Sequence, residues 1–342
     1  MTESTPTPQI KCVKLDESKE ETNWNHLPFE MKEMVIKQMD VVTRTRLKMC
    51  SKSDKYIVES TPIHFKEVKA LNIFEHSGSH HPRFFFRFSI DDLIIEQYAF
   101  DTKVIRKGRI PKQIHGSKTL GHLYFNSIIF KGKVSVDSFQ ATMHYPTIPF
   151  TSDQLIKVKN LDIGTQKGAN ICQWLKHFKP NVDYLKYDGS IDSLLYTIDL
   201  GISPNENTCK MDIVKNAKKL HIFDFYITDN DLLNFKATDL TVISDKLTKN
   251  GVNRLMKKFL NEDYPEGSKF SIELRHSDGE DGLFDGLNKT PIDEDDVEDM
   301  EKNDNKKKNK KLIKVVKENI CTYFPDRNLP ILMTVEAVVM ME

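Results

Sequence analysis

The chain has 342 residues, 39% of them hydrophobic, with 50 basic and 50 acidic residues. This length allows one large domain plus a small one, and the zero net charge gives no general attraction to nucleic acid or membranes. The cysteines are far apart, odd in number and without a Cys-x-x-Cys pair: Cys12, Cys50, Cys172, Cys209 and Cys321. They argue against a disulfide framework or a zinc module and indicate a reducing compartment.

Residues 1–22 are rich in Thr, Pro, Ser, Glu and Lys and predict a disordered tail without the apolar core of a signal peptide. No apolar run approaches the roughly 20 residues of a membrane helix. We therefore expect a soluble, cytoplasmic protein that binds neither membranes nor nucleic acid. The basic run from Lys306 to Lys311 is typical of a solvated linker, with a nuclear localisation signal as the alternative.

Residues 23–66 show the spacing of three short helices. Pro28 suits the first turn of the first helix, and an apolar stripe follows at helical spacing: Met31, Met34, Val35 and Met39. Asp40 predicts a cap for the second helix, and Ser51 or Ser53 predicts a cap for the third. A module of about 40 residues cannot build an ample core alone, so we expect it to present an apolar face to a partner.

This module carries a resemblance to a known family. Leu27-Pro28-x-Glu30-Met31 matches the opening of the F-box, and the later apolar and closing positions are matched by Val35, Ile36, Met39, Leu47, Cys50, Ser51 and Lys52. The stretch from Trp24 to about Phe65 therefore resembles the F-boxes of the expanded nematode families. Asp54 stands where many members carry Trp, a departure that bears on docking affinity.

The resemblance implies docking onto the Skp-type linker subunit of an SCF ubiquitin ligase. The residues expected to bind this linker are the apolar positions of the module: Leu27, Pro28, Met31, Val35, Ile36, Met39 and Leu47. Some of them must instead hold the three helices together, and the sequence does not divide the two groups. Cys50 is expected to be a small buried residue of the same module.

From residue 69 to residue 275 the pattern changes to strands that alternate with helices. Strands are predicted at 84–90, 122–136, 155–163, 182–188, 218–225, 238–243 and 269–275. One helix is predicted where Ile171, Trp174, Leu175 and Phe178 recur at helical spacing, a second is predicted at 251–260, and 231–235 is predicted to be a short turn element.

The predicted strands recur about every 20 to 35 residues, within the range of solenoid repeats, although no strict consensus repeats. The expected fold is α+β, with a three-helix module followed by an irregular leucine-rich-repeat-like α/β array. A single compact α/β sheet is the alternative. Residues 228–260 also resemble, more loosely, the associated domain of nematode F-box proteins, at Leu232, Leu233, Leu240, Leu247, Asn253, Met256 and Phe259.

Residues 276–311 hold an acidic block followed by a basic block. Low hydrophobicity and blocked charge disfavour a packed core, so this segment is predicted to be a disordered insertion. Strands return at 312–317 and 331–340, which assigns residues 312–342 to the α/β domain.

No catalytic constellation stands out in the sequence. His76, His80 and His81 are interpreted as part of a surface loop rather than a metal site, and the paired carboxylates at 91–92, 295–296 and 298–299 are interpreted as solvated charge. There is no Gly-rich phosphate loop after a strand. We therefore expect no catalytic residue, no cofactor and no metal ligand.

The family resemblance implies a substrate-recognition adaptor of an SCF-type ubiquitin ligase. Its partners would be the Skp-type linker, bound by the helical module, and an unidentified target protein, presented by the C-terminal domain. The alternative is a non-enzymatic interaction protein without ligase linkage.

Overall fold

The structure, a computed structural model, divides the chain into two compact units between Thr61 and Pro62. The first unit is helical, and the second is built on one large sheet. The residues that the structure describes are 23–75, 83–98, 101–106, 112–115, 120–129, 133–143, 155–165, 171–188, 208–223, 227–265, 267–274, 282–287, 310–318 and 332–340.

The first unit opens with a 3-10 turn and continues with three short helices, α1 (Phe29–Gln38), α2 (Val41–Lys48) and α3 (Lys52–Ser60). Polar side chains begin the second and third helices. Asp40 Oδ1 accepts the Thr43 N–H at 2.8 Å, and Ser51 Oγ accepts the Asp54 N–H at 3.0 Å. Pro28 directly precedes α1, where its missing N–H leaves no helical bond unmade.

The core of the first unit is small. Ile36, Ile57 and Val58 are buried, and three partly buried side chains pack against them: Trp24, Met39 and Leu47. Such a small core contributes only a small free energy of unfolding to a module of this size. Polar interactions that fix the ends of the helices therefore matter more here than they would in a larger domain.

Asp54 connects α3 to the 3-10 turn at Trp24–His26. Trp24 Nε1 donates to Asp54 Oδ1 at 2.8 Å, and Ser51 Oγ donates to Asp54 Oδ2 at 2.7 Å. The bond from Trp24, followed by the bond from Ser51, holds the pKa of Asp54 below its usual range. Asp54, which departs from the family pattern, is thus a structural residue that anchors Trp24.

Arg44 is a second buried charge in this unit. Its Nε donates to the Met39 carbonyl and one terminal nitrogen donates to the Thr61 carbonyl, both at 3.4 Å. Burial of the guanidinium lowers the pKa of Arg44. These bonds join the beginning of α2 to the residue that follows α3.

Two expectations for this unit are corrected. Cys50 is exposed rather than buried, because it lies in the turn after α2 and its Sγ faces the Arg46 carbonyl at 3.4 Å. The strand region begins at Ile63 rather than near Lys69.

The second unit is a 13-stranded sheet. Its strands are β1 (Ile63–Glu75), β2 (Arg83–Ile90), β3 (Leu93–Gln97), β4 (Asp101–Arg106), β5 (Lys112–His115), β6 (Val134–Met143), β7 (Lys157–Thr165), β8 (Tyr184–Asp188), β9 (Lys219–Phe223), β10 (Asp239–Ser244), β11 (Lys269–Leu274), β12 (Lys310–Glu318) and β13 (Leu332–Met340). Across the sheet the order is β12-β13-β11-β10-β9-β8-β7-β6-β1-β2-β3-β4-β5.

Strands β6 to β11 lie side by side in chain order and are all parallel, while the strands at both ends of the sheet pair antiparallel. Helices follow several of these strands, because parallel neighbours need a crossover connection. The helices are α4 (Leu120–Ile129), α5 (Ile171–Leu175), α6 (Asp212–Lys215), α7 (Asp229–Asn234) and α8 (Lys249–Asn261).

One burial pattern recurs in the parallel strands: a buried apolar residue, two outward residues, a buried residue, one outward residue and a third buried residue. The buried triplets are Phe65/Val68/Ala70, Val136/Phe139/Ala141, Val158/Leu161/Ile163, Val182/Leu185/Tyr187, Ala217/Leu220/Ile222 and Ala237/Leu240/Val242. The register aligns their middle members in one row across β1 and β6–β10.

The coarse expectation of three helices followed by a mixed α/β region is confirmed, whereas the leucine-rich-repeat-like character stays a prediction. The predicted strand 122–136 is wrong over its first part, where α4 forms instead. Phe125 and Ile129, four residues apart, are both buried, and Phe125 packs on Phe88 with ring centroids 4.9 Å apart. Residues 231–235 likewise belong mostly to α7 rather than to a turn.

The disorder predicted for 276–311 does not hold at residues 282–287. Leu283 is buried there, and Asn253 Nδ2 donates to the Leu283 carbonyl at 2.7 Å and to the Asp285 carbonyl at 3.1 Å. The predicted disordered tail 1–22 and the rest of the insertion up to residue 309 lie outside the described residues.

Replacing Trp24 with Phe should lower the free energy of unfolding of the helical unit by about 1 to 2 kcal/mol, because a buried charged acceptor loses its donor. The pKa of Asp54 is lowered in the folded state, so its contribution is present above the unfolded value near pH 4 and is lost as pH falls through the folded value. Thermal unfolding from pH 7 to pH 3 should show the difference from wild type narrowing in acid. Asp54→Asn is the control, and a pH-independent Trp24→Phe difference would contradict the assignment.

Gly251 in α8 is required by a neighbouring carboxylate. Asp229 accepts hydrogen bonds from the backbone N–H of Thr248 at 2.9 Å and from its hydroxyl at 2.6 Å, and a Cβ on Gly251 would overlap the Asp229 side chain. Gly251→Ala should therefore cost about 1 to 3 kcal/mol of unfolding free energy, and adding Asp229→Ala should recover part of that loss.

The matched control for Gly251 is Gly164→Ala in β7. A Cβ at Gly164 would meet Thr142 at 3.8 Å, an ordinary van der Waals contact. Urea unfolding of Gly251→Ala, Asp229→Ala, their double variant and the Gly164→Ala control measures the coupling. Strictly additive effects of Gly251→Ala and Asp229→Ala would show that the two residues do not interact.

Candidate functional site

Burial divides the seven apolar residues that were expected to bind a partner. Ile36 is fully buried in the core of the helical unit, and Met39 and Leu47 pack partly buried against that core. Leu27 is half-buried, whereas three residues are exposed: Pro28, Met31 and Val35. The structure therefore places the last three on the surface, while Ile36 has no exposed surface to offer a partner.

The exposed residues of α1 form a stripe that includes one residue that the expected set lacked. Met31, Met34 and Val35 are 52%, 65% and 42% exposed, and their i, i+3, i+4 spacing puts them on one side of the helix. With Pro28 they are called the α1 stripe. Ile36 lies on the opposite, inward side. The sequence signal that could have added Met34 to the expected set is the helical spacing that it shares with Met31 and Val35.

The α1 stripe is unusual for a surface helix. Large apolar side chains exposed together on a small module mark interaction surfaces, and methionine adapts to irregular partner surfaces. Other exposed apolar side chains of the same unit are Phe29, Met49 and Tyr56. Burying each such side chain against a partner would contribute on the order of 1 kcal/mol.

The charges of α1 lie beside the stripe rather than over it. Lys37 Nζ pairs with Glu33 at 3.4 Å, and Lys32 Nζ donates to the Asn25 carbonyl at 3.3 Å. Lys32 Nζ also lies 5.8 Å from the centre of the Trp24 ring. The local ion pair and these contacts leave the apolar stripe open, so the surface suits a protein partner more than a small charged ligand.

A second candidate surface is formed by outward residues of β7 to β10. Tyr184 Oη lies 3.3 Å from His221 Nδ1 with the two rings edge to face, and His221 Nε2 lies 3.6 Å from Asp239 Oδ1. Burial raises the pKa of Asp162, and burial together with the carboxylates of Asp162 and Asp239 raises the pKa of Tyr184. The sequence did not single out these residues.

The described part of the chain contains no group of three or more His, Cys, Asp or Glu residues that could hold a metal ion. Asp91 has a structural role: it adopts a positive φ of 47° between β2 and β3, and its Oδ1 accepts the N–H groups of Lys66 and Glu67, both at 3.0 Å. His76, His80, His81 and the carboxylates at 295–296 and 298–299 lie outside the described residues.

Among the helices that the structure describes, none combines the length and the apolar character needed to cross a membrane.

Comparison with known protein families finds a match that covers the helical unit. The F-box domain family matches residues 24–66. An uncharacterized F-box protein of Caenorhabditis elegans is 24% identical over 289 residues, which cover 74% of this chain and 72% of that relative. No solved structure matches the chain. Three short helices, two of them with side-chain caps, an outward apolar stripe and the family match lead to one conclusion: residues 24–66 are an F-box domain.

Proposed function

We propose that this protein is a substrate-recognition adaptor of an SCF-type E3 ubiquitin ligase. The F-box domain binds the Skp-type linker subunit, and the sheet unit binds a target protein. The observation that carries the proposal is the α1 stripe, an apolar surface left open on a domain whose family is defined by docking. The adaptor then acts by bringing the target close to the ubiquitin-charged enzyme, and it supplies no chemistry of its own.

The residues of the F-box take two roles in this proposal. Pro28, Met31, Met34 and Val35 contact the linker directly. Ile36, Met39 and Leu47 hold the three helices in the arrangement that presents the stripe. Leu27, half-buried before α1, contributes at the margin of the contact. Interfaces of this kind concentrate their energy in a few central residues, and methionine is enriched among them.

The sheet unit serves as the target-binding part. Parallel strands in chain order with an apolar, x, x, apolar, x, apolar pattern fit the strand portion of a leucine-rich-repeat-like array. Such arrays offer an extended row of outward side chains for protein recognition. We place the protein in the reducing cytoplasm, with a nuclear pool if Lys306 to Lys311 act as an import signal.

Replacing both Met31 and Val35 with Ala should weaken binding to a Skp-type linker by about 10- to 100-fold, because two central apolar contacts are truncated. The measurement is calorimetric titration of the full chain with the linker, supported by co-purification. Both side chains are largely exposed, so the unfolding temperature should stay close to that of wild type.

The matched control truncates two equally exposed apolar residues of the sheet unit, Tyr98 and Leu155, which are 44% and 46% exposed. Their double alanine variant should bind the linker as wild type does. Ile36→Ala should instead lower the free energy of unfolding by about 2 to 4 kcal/mol, because Ile36 belongs to the core and does not contact the linker. If the folded wild-type chain binds no linker, the ligase assignment is contradicted. The alternative, an interaction protein without ligase linkage, would then be favoured.

A further inference from the structure

Lysines collect at the edge of the sheet where the amino ends of the parallel strands lie. Backbone hydrogen bonds stack the segments that lead into successive strands. The Lys179 N–H donates to the Ile156 carbonyl at 2.8 Å, and the Lys236 N–H donates to the Lys215 carbonyl at 3.1 Å. Lysines that are distant in the chain are thereby brought to one edge, although the net charge of the whole protein is zero.

Part of this charge is neutralised by aspartates at the same edge. Lys159 Nζ lies 2.6 Å from Asp137, and Lys218 Nζ lies 2.6 Å from Asp183. Asp137 also faces the exposed His64 ring at 3.1 Å. These pairs form a ladder of alternating charge that runs across the strands, so the residues in it have little net charge to offer a partner.

Five further lysines of the same edge are exposed and form no ion pair within 4.0 Å in the part of the chain that the structure describes. They are Lys133, Lys157, Lys179, Lys219 and Lys236, called the lysine edge. They precede or begin β6, β7, β8, β9 and β10, so each strand of this stretch contributes one. Within the described residues the lysine edge therefore carries an excess of positive charge, although the charge of Lys157 also acts on Asp183 and helps to lower its pKa.

We propose that the lysine edge binds an acidic segment of the target protein, which rests on the adaptor function proposed above. Five neighbouring strands at about 4.8 Å spacing span about 19 Å, the length of about six residues of an extended peptide. The register sets Lys219 about three residues further along the strands than Lys157. An extended segment with several Asp or Glu residues that crosses the strands can place its carboxylates against lysines of successive strands. Complementary charge of this kind directs specificity and speeds association.

The aspartates of the ladder favour a peptide over a nucleic acid. A nucleic-acid strand carries one phosphate charge at every nucleotide without interruption, and Asp137 and Asp183 would repel some of those phosphates. A peptide is free to set neutral residues opposite the aspartates and carboxylates opposite the lysines. The alternation along the edge thus selects for spaced carboxylates.

The test titrates the full chain into fluorescein-labelled dodecaglutamate and follows fluorescence anisotropy at low and physiological salt. The variant carries Lys157→Glu and Lys219→Glu, and its control carries Lys103→Glu in β4 and Lys249→Glu at the opposite edge, with the same change in charge. We expect wild type and control to bind, and the lysine-edge variant to bind at least about tenfold more weakly. Added salt should weaken the binding of all three.

Three outcomes would overturn the proposal. The first is that the lysine-edge variant and its control lose dodecaglutamate binding equally, or that wild type does not bind dodecaglutamate at all. The second is tighter binding of a thymidine dodecamer than of dodecaglutamate, which would assign the edge to nucleic acid. The third is peptide binding that appears only after residues 293–304 are deleted, which would assign the edge to the chain's own acidic run. Linker binding of each variant, measured separately, keeps these results distinct from a failure of the adaptor function.

Discussion

The sheet unit depends on one row of stacked apolar side chains. The parallel register places the middle residues of successive strands side by side: Val68, Phe139, Leu161, Leu185, Leu220 and Leu240. All are buried, so a shift of any strand by one residue would turn its apolar set outward and bring charged side chains in. This constraint fixes which residues of each of these strands face outward.

The two outward residues that precede each middle position carry much of the charge on the surface of the sheet. They carry the alternating ladder that includes Asp137, Lys159, Asp183 and Lys218, and the next outward position carries residues such as Asp162 and His221. Because the apolar row holds the strands in register, these side chains reach their neighbours without ordering any loop. The chemistry of the surface can therefore vary from strand to strand while the fold is retained.

The F-box domain has a much smaller core, and its first helix supplies both buried and exposed apolar residues. The single helix α1 turns Ile36 toward Ile57 and Val58 and turns Met31 and Val35 outward, so the buried core and the exposed apolar stripe use opposite sides of ten residues. Asp54 compensates for the limited apolar burial by accepting hydrogen bonds from the Trp24 indole and the Ser51 hydroxyl. Asp54, which departs from the family sequence, thus holds the 3-10 turn at Trp24–His26 in place.

The sequence by itself determined the F-box segment, the helix caps at Asp40 and Ser51, and most strands after Leu155, because these depend on local spacing and capping chemistry. Only the tertiary structure separated inward Ile36 from outward Val35, since both suit an apolar helix position and burial decides between them. It also decided that residues 122–129 form a helix, through the packing of Phe125 and Ile129. The alignment of the apolar triplets in one row and the lysine edge depend on register between distant segments, which no local pattern contains.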